Sequence, residues 1–483
     1  MLQSNLDDTI TAISTPIGQG GIGILRLSGK CALAIADKIF VSKEGSKPSS
    51  YQTYTVHYGW IVSGHKPQAT SHRSDIKNMR PAACNMRQDI IDEVLLTVMR
   101  APGSYTKEDI VEINCHSGIV GLRGILDIVL SHGARLAQAG EFTKRAFLNG
   151  RIDLSKAEAV LDVINAKTGL GLESGMQQLS GRLFEEIKAL KDKLLDVIAL
   201  LEANIDFPDE DITQADREKV QNTIRYVTKR VDNIVGSSRH GKILREGISA
   251  VIVGKANVGK SSLLNALLRE ERAIVSPIPG TTRDAIEEIF DLEGIPLKIA
   301  DTAGIMEPRD LIEKEALKRT KSYFEKANLV LLVFDAHQPL AHQDKLLIRK
   351  AKSKKVIAVL NKCDLRERID REEIKKHFSP IVEISALKNK GLKNLEKAIV
   401  ETIWEGNVNA QEEILVTNAR HIQALQEARH VLEDASISLQ QGLSLEFIAL
   451  DMKRCHSILA RITGETVEED ILDKIFSQFC VGK

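Results

Sequence analysis

The chain has 483 residues, of which 43% are hydrophobic and 27% charged, the composition of an ordinary globular protein with about three domains. Lysine plus arginine and aspartate plus glutamate each total 66, so any contact with nucleic acid requires a local basic patch rather than a global positive field. No apolar run reaches the ~18 residues of a membrane span and no signal peptide is expected, which argues against a membrane protein. The six cysteines form no C-x-x-C pair, which argues against a zinc site or a disulfide framework. Together these features predict a reducing, cytoplasmic location.

Strand-like and helical stretches alternate over the first 150 residues, which predicts an α+β domain. Strands are expected at residues 9–15, 23–27, 51–60, 94–99 and 111–116, and helices at 31–40 and 119–130. Residues 65–88 form a basic, polar insertion. The insertion could touch RNA phosphates, but its length favours a mobile polar loop.

Helical spacing dominates from residue 155 to about residue 240 and resumes from about residue 411. In the first block the apolar positions are Leu183, Ile187, Leu190, Leu194, Val197 and Leu201, then, after a break at 207–211, Val220, Ile224, Val227, Val231 and Ile234. In the second they are Ile422, Leu425, Leu432, Leu445, Ile448, Leu459 and Ile462. One bundle with an inserted domain would cover both apolar faces; two separate bundles are the alternative.

A phosphate-binding loop is predicted between the two helical blocks. The apolar strand 248–253 is followed by G-x-x-x-x-G-K-S at 254–261 and by a helix over 263–268, which is the context this loop requires. Its amides and the helix N-terminus would face phosphate oxygens, Lys260 would reach the outer phosphates, and Ser261 would bind Mg²⁺. The expected nucleotide contacts here are Asn257, Val258, Gly259, Lys260, Ser261 and Ser262.

Two further motifs indicate guanine. Asn361-Lys362-Cys363-Asp364 follows an apolar strand, and a carboxylate at Asp364 can accept hydrogen bonds from both the ring N–H and the exocyclic amine of guanine, a donor pair that adenine lacks. Ser385, Ala386 and Leu387 follow the next strand and fit a backbone contact to the guanine carbonyl. A phosphate loop followed by these motifs in register predicts a GTP site.

The hydrolytic residue is less obvious. Asp301, Thr302, Ala303 and Gly304 place a carboxylate near the metal's water shell and an amide near the γ-phosphate, while Thr282 in the segment 280–284 is a candidate Mg²⁺ ligand. Ile305 stands where signalling GTPases carry a glutamine that orients water. A partner's arginine or a cation must then neutralise the transition state, and the Asn257 side-chain oxygen could help to coordinate a cation.

The chain resembles the MnmE (TrmE) family of tRNA-modification GTPases over nearly its whole length. Besides the GTPase motifs, the resemblance is carried by residues 8–16, 20–29, 104–113, 140–151, 153–160 and, most specifically, the terminus 471–483. It implies a multidomain fold with an α+β folate-binding and dimerisation domain over 1–150, a discontinuous α-helical bundle over 151–243 and 408–483, and an inserted α/β P-loop GTPase domain over 244–407.

The resemblance also implies ligands that the residues alone do not indicate. Potassium would be held by Asn257, Ser276, Ile278 and Thr281, and Mg²⁺ by Ser261 and Thr282. Glu313 would orient the attacking water through an intermediary, although on its own it reads as a solvated helix-face carboxylate, and Thr282 and Asp301 are the other expected catalytic residues. A 5-formyl- or methylene-tetrahydrofolate would contact Arg26, Glu112, Arg151 and Lys483, each otherwise an ordinary surface charge.

The function implied by the resemblance is GTP-driven tRNA modification by a homodimer. With an FAD-dependent partner of the MnmG/GidA type, in a heterotetramer and away from membranes, it would install a carboxymethylaminomethyl group at C5 of the wobble uridine. Cys480 could lie near this chemistry or be an accidental terminal thiol. The alternatives are a ribosome-assembly GTPase switch, which an RNA-binding module would favour, and a folate-binding regulator.

Overall fold

The computed structural model describes residues 7–63, 90–207, 214–268, 287–300, 322–404 and 415–483. The chain forms two compact units, one of Met1–Glu158 with Thr463–Lys483 and one of Ala159–Ile462. The predicted insertion 65–88 lies outside the described residues. Within the described ranges, every helix is too short or too polar to cross a membrane.

The first unit contains a seven-stranded sheet in the order β3-β4-β5-β6-β2-β1-β7. Its strands are β1 (Ile10–Ile13), β2 (Gly23–Ser28), β3 (Phe40–Ser42), β4 (Thr55–Val62), β5 (Ile90–Met99), β6 (Ile110–Cys115) and β7 (Arg135–Leu136). Alternate residues of β2, β5 and β6 point into one core, where α1 (Ala32–Ile39) and α2 (Ile119–Ser131) cover the sheet. The predicted α+β class is confirmed.

Two features of this unit differ from the sequence prediction. The strand expected from residue 51 begins at Thr55, because Pro48–Ser50 forms a 3-10 turn and the Tyr51 ring is buried beside it. The short strands β3 and β7 and the helix α3 (Glu141–Leu148) were not predicted. Near the end of the chain, α14 (Glu469–Phe476) contacts α3, and the rings of Phe147 and Phe476 lie 6.4 Å apart.

The second unit contains the predicted bundle. Its helices are α4 (Leu154–Asn165), which starts in the first unit, α5 (Gly169–Leu179), α6 (Arg182–Asp206), α7 (Gln214–Glu246), α12 (Ala419–Gln440) and α13 (Leu445–Thr463). Leu190, Val227 and Leu432 belong to one core, so helices from both halves of the sequence pack together. The discontinuous bundle is confirmed. The expected start of its second half, near residue 411, lies outside the described residues; residues 415–418 are not helical, and the Asn418 side chain caps α12 at the Arg420 amide, 2.9 Å away.

Between the two halves lies a six-stranded sheet in the order β13-β12-β11-β8-β10-β9. Its strands are β8 (Ile248–Val253), β9 (Glu287–Leu292), β10 (Ile295–Ala300), β11 (Leu329–Asp335), β12 (Val356–Asn361) and β13 (Ile381–Glu383), and only the β9 pairing is antiparallel. The helices of this part are α8 (Lys260–Leu268), α9 (His342–Ala351), α10 (Arg371–Lys375) and α11 (Leu392–Trp404).

This sheet is buried on both faces, which is why its parallel strands are continuously apolar in sequence. From β8 the sheet extends to one side through β10 and to the other side through β11, β12 and β13. Because these strands are parallel, the turns after β8, β12 and β13 lie at the same edge of the sheet. A crevice at the carboxyl ends of parallel strands is where ligands bind in such sheets. The inserted α/β fold is thereby confirmed, and it brings the predicted motifs together.

Candidate functional site

The turn between β8 and α8 requires glycine at two positions. A Cβ on Gly254 would lie 2.5 Å from the Val333 carbonyl oxygen of β11. Gly259 has φ +98°, and a Cβ there would lie 2.3 Å from the Asn361 side-chain nitrogen. Only glycine lets the backbone approach its neighbours this closely, so the predicted phosphate loop has the tight course that exposes its amides.

Lys260 opens α8 and folds back over the loop. Its ammonium donates to the carbonyl oxygens of Gly254 at 3.1 Å and Lys255 at 3.0 Å. Ser261 and Ser262 are exposed in the first turn of the helix, and Val258 is fully buried beneath it. A helix N-terminus with a lysine and two exposed serine hydroxyls in its first turn suits a polyphosphate.

Asn361 ties this loop to the two predicted guanine-binding turns. Its side-chain nitrogen donates to the Val258 carbonyl oxygen at 2.8 Å. Its side-chain oxygen accepts from the amides of Lys362 at 2.8 Å and Ala386 at 3.0 Å. The side chain is buried and hydrogen-bonded through both its nitrogen and its oxygen. It therefore fixes the three turns relative to one another with a specificity that an apolar residue could not provide.

Lys362 makes a second link to the phosphate loop. It sits at φ +66°, and its ammonium donates to the Asn257 carbonyl oxygen at 2.9 Å and to the buried Asp335 carboxylate at 2.7 Å. Asn257 itself has φ +61° and an exposed side chain. The Lys362 hydrogen bond thus fixes the backbone of Asn257, and its exposed side chain carries an oxygen that can meet a cation.

Asp364 supplies the predicted carboxylate. A hydrogen bond from the Ser385 hydroxyl, aided by Lys388 whose ammonium lies 3.4 Å away, holds the pKa of Asp364 below its usual value. An ionised carboxylate is the acceptor that two guanine donors need. Leu387 projects from the same turn with 87% of its surface exposed. The structure thus brings together the described members of the predicted GTP set.

Sequence reasoning missed two carboxylates that support these loops, Asp344 and Asp335. Asp344 is buried, forms a 3.2 Å ion pair with Lys255 and also accepts from the Ala341 amide at the start of α9. Asp335, at the end of β11, anchors Lys362. Neither position belongs to a motif, so no local signal identified them. The predicted residues Ser276, Ile278, Thr281, Thr282, Asp301, Thr302, Ala303, Gly304 and Glu313 lie outside the described residues.

The first unit holds a second cluster, here called the tail-closed cluster: Arg26, Glu112, Phe142 and the carboxyl-terminal residues Cys480–Lys483. Arg26 and Glu112 are directly opposite on β2 and β6, and their side chains pair at 2.7 Å. The same guanidinium donates to the Gly482 carbonyl oxygen at 3.1 Å and lies 5.6 Å from the centre of the Phe142 ring. Two of the four predicted folate contacts therefore touch.

The terminus is fixed by its backbone. The Phe142 amide donates to the Lys483 carbonyl oxygen at 3.1 Å, and the Gly140 amide donates to that of Cys480 at 3.3 Å. Gly482 has φ +96°, and a Cβ there would lie 2.8 Å from the Ile13 carbonyl oxygen. The backbone of Lys483 is thus held against Phe142, next to the Gly482 that Arg26 contacts, whereas the Cys480 side chain is exposed.

Arg151 joins this cluster through aromatic and hydroxyl groups. Its guanidinium lies 4.7 Å from the centre of the Tyr105 ring, and the Tyr105 hydroxyl is 3.0 Å from that of Thr143, the neighbour of Phe142 in α3. Tyr105 and Phe142 were not predicted as site residues. Guanidinium groups, one carboxylate and two aromatic rings fit a ligand that combines a flat heterocycle with carboxylates.

The loops of the second unit define the class of protein, which is a P-loop GTPase. Family models agree: the MnmE helical domain matches residues 154–480, and the GTP-binding protein TrmE N-terminus matches residues 9–151. The chain belongs to the MnmE family of tRNA modification GTPases, and it is a GTP-hydrolysing enzyme of tRNA modification.

Curated relatives named tRNA modification GTPase MnmE align along the full chain. Those of Alkaliphilus metalliredigens and Clostridioides difficile are each 45% identical over 480 residues, and that of Bacillus subtilis is 42% identical over 479 residues. Each alignment covers 99% of this chain and 100% of the relative. Among solved structures, Aquifex aeolicus Era bound to GDP and AlF4⁻ is 32% identical over 38% of this chain and 66% of its own, with a TM-score of 0.28.

Proposed function

We propose that this GTPase acts with an FAD-dependent partner of the MnmG/GidA type to install a carboxymethylaminomethyl group at C5 of the wobble uridine of certain tRNAs. A tetrahydrofolate supplies the one-carbon unit when bound. The observation that carries the proposal is the presence of two separate ligand clusters in one chain, the guanine-binding loops and the tail-closed cluster. A nucleotide switch alone has no use for the second.

In the tail-closed cluster, the residues of the chain bind and orient a reduced folate. Glu112 accepts from the N–H groups of the pterin, while Arg151 and the Lys483 ammonium attract the glutamate carboxylates. Arg26 holds the Glu112 carboxylate in place at 2.7 Å and fixes the terminus through Gly482. The Phe142 and Tyr105 rings supply apolar surface for the ring system.

In the GTPase part, Ser261 and Thr282 would hold Mg²⁺, and Asn257 with Ser276, Ile278 and Thr281 would hold K⁺. A potassium ion supplies positive charge against the transferring phosphoryl group in place of an arginine finger. Asn257 lies within the described residues and supports the potassium proposal, because its backbone is hydrogen-bonded to Lys362 and its side chain is exposed. Glu313 would orient the attacking water through an intermediary, and Thr282 and Asp301 are the other two residues proposed for catalysis.

The proposed assembly is a cytoplasmic homodimer whose GTPase domains, over 244–407, meet across their nucleotides. The folate-binding domain spans 1–150, and the helical domain spans 151–243 and 408–483. GTP hydrolysis opens and closes the dimer and thereby regulates the modification step. The hydrolysis rate should be higher in K⁺ than in Na⁺ by about 10-fold, and equal rates would refute the cation assignment.

The function is tested by nucleoside analysis of tRNA. Bulk tRNA from a strain that lacks this gene should contain no C5-modified wobble uridine of this class, and the gene carried on a plasmid should restore it. Mass spectrometry of the digested nucleosides measures both. An unchanged nucleoside profile in the deletion strain, with a defect in ribosome assembly instead, would favour the nucleotide-switch alternative.

A further inference from the structure

The GTPase part is an insertion, so the bundle holds it at two places. The chain enters through the end of α7, which runs directly into β8 with only Gly247 between them, at φ +77°. It returns through the described residues 415–418, just before α12. Both crossing points lie against α4 and α5, and all of these residues belong to the second unit.

Four side chains join the entry to the exit, and we call them the entry–exit clasp: Asp162, Gln178, Arg245 and Thr417. The Asp162 carboxylate accepts from Arg245 Nε at 3.0 Å on the entry side and from the Thr417 hydroxyl at 2.7 Å on the exit side. Gln178 Nε2 donates to the same hydroxyl at 2.9 Å. One carboxylate of α4 thus holds both connections.

Three members of the clasp are largely buried, Arg245 is partly exposed, and the backbones of the two connections are tightly apposed. The Asp162 side chain is 8% exposed, and Gln178 and Thr417 are buried. A Cβ on Gly241 would lie 2.4 Å from the Val416 carbonyl oxygen, so α7 and the exit segment touch through their backbones. Buried hydrogen bonds to a carboxylate have strict geometry, so the two connections hold a defined orientation rather than a loose contact.

A cavity of about 480 Å³ lies beside the clasp and gives it room to rearrange. It is lined by Asp162, Arg245 and Thr417 on the bundle side and by Lys298 of β10 on the GTPase side. β10 ends at Ala300, immediately before Asp301, whose carboxylate the sequence predicts to lie near the metal's water shell. The strand that lines this cavity through Lys298 therefore leads directly into a predicted nucleotide-binding motif.

We propose that Asp162 and Thr417 are positioning residues that transmit the nucleotide state of the GTPase part to the modification reaction. They touch neither substrate, and they act by fixing how the inserted part is oriented on the bundle. This rests on the proposed coupling of hydrolysis to modification. Coupling between distant sites is typically worth ~5-fold to ~150-fold in an equilibrium, so the loss of two buried hydrogen bonds is enough to disrupt it.

The test uses the full-length protein with its FAD-dependent partner and compares Thr417→Val with Thr417→Ser. Valine keeps the shape of threonine but removes the hydroxyl, whereas serine keeps the hydroxyl. GTP hydrolysis and wobble-uridine modification are measured on the same preparation, and the readout is the number of modifications per GTP hydrolysed. This ratio does not depend on the fraction of folded enzyme, so a purely structural role would not change it.

Thr417→Val should hydrolyse GTP within about twofold of the wild type, while the number of modifications per GTP hydrolysed falls about 10-fold. Asp162→Asn should behave in the same way. Thr417→Ser should keep the wild-type number of modifications per GTP hydrolysed. A ratio unchanged in Thr417→Val and Asp162→Asn would overturn the proposal, whether or not their melting temperatures fall. If the wild type itself modifies no uridine, the proposed function fails instead, and the two failures are distinguishable.

Discussion

The two ligand clusters are built on different physical principles. In the nucleotide loops, backbone carbonyls and amides are held by a buried side chain, Asn361, and by glycines that permit close approach. In the tail-closed cluster, a half-buried ion pair between Arg26 and Glu112 closes against the free end of the chain. The first joins turns that directly follow strands of one sheet, whereas the second joins two strands to a segment from the far end of the sequence.

The largest expected effect breaks the nucleotide loops. Gly259→Ala places a methyl group 2.3 Å from the Asn361 amide at φ +98°, so the loop must distort and Asn361 must release Val258. GTP affinity should fall by at least about 100-fold, measured by titration with a fluorescent GTP analogue. Gly236→Ala is the matched control, because a Cβ there meets nothing within 4 Å and α7 should tolerate it. Equal losses in the two variants would contradict the role given to Gly259.

A smaller effect is expected at the guanine-binding end of the same loops. Asp364→Asn removes the charge that accepts from guanine, and GTP affinity should fall about 30-fold with little change for ATP. The pKa of Asp364 is lowered, so the carboxylate stays charged until the pH falls below the usual 3.8. GTP and ATP carry the same phosphates, so the ratio of their affinities for the wild type reports the guanine contact and should be constant from about pH 8 to pH 5. A fall of that ratio in this range would oppose the assignment.

The tail-closed cluster should be altered without affecting the nucleotide loops. Gly482→Ala introduces a Cβ 2.8 Å from the Ile13 carbonyl oxygen at a positive φ, which undocks the terminus and removes the Gly482 contact to Arg26. Affinity for 5-formyltetrahydrofolate should fall about 10-fold by calorimetry, with unchanged GTP hydrolysis. Val481→Ala is the control, since that side chain is half exposed. Parallel losses of folate binding in both variants would argue against a specific role for Gly482.

The smallest effect is expected at Cys480. Its carbonyl oxygen accepts from the amides of Gly140 and Lys483, and the thiol is exposed, so the backbone is what positions the terminus. Cys480→Ser should modify tRNA within about twofold of the wild type, because serine preserves the backbone course. A loss of modification with intact folate binding would instead give the thiol a chemical role.

The nucleotide loops were predictable from the sequence because each motif directly follows an apolar strand. Parallel strands end at a common edge of the sheet, so motifs that follow such strands lie close together even when they are far apart in sequence. Asn361 and Val258, for example, are 103 positions apart and share a hydrogen bond. Arg26 and Gly482 are 456 positions apart and meet only through antiparallel register and a docked terminus. No local pattern encodes that contact, and only the family resemblance indicated it. The Asp162–Thr417 contact escaped prediction for the same reason.

The central claim is that one chain carries a guanine-nucleotide site and a separate folate site. The most direct test titrates the wild-type protein with 5-formyltetrahydrofolate, with and without saturating GTP. One molar equivalent should bind per chain, with an affinity that GTP does not abolish. Absence of binding, or displacement of the folate by GTP at the same site, would contradict the assignment of the tail-closed cluster.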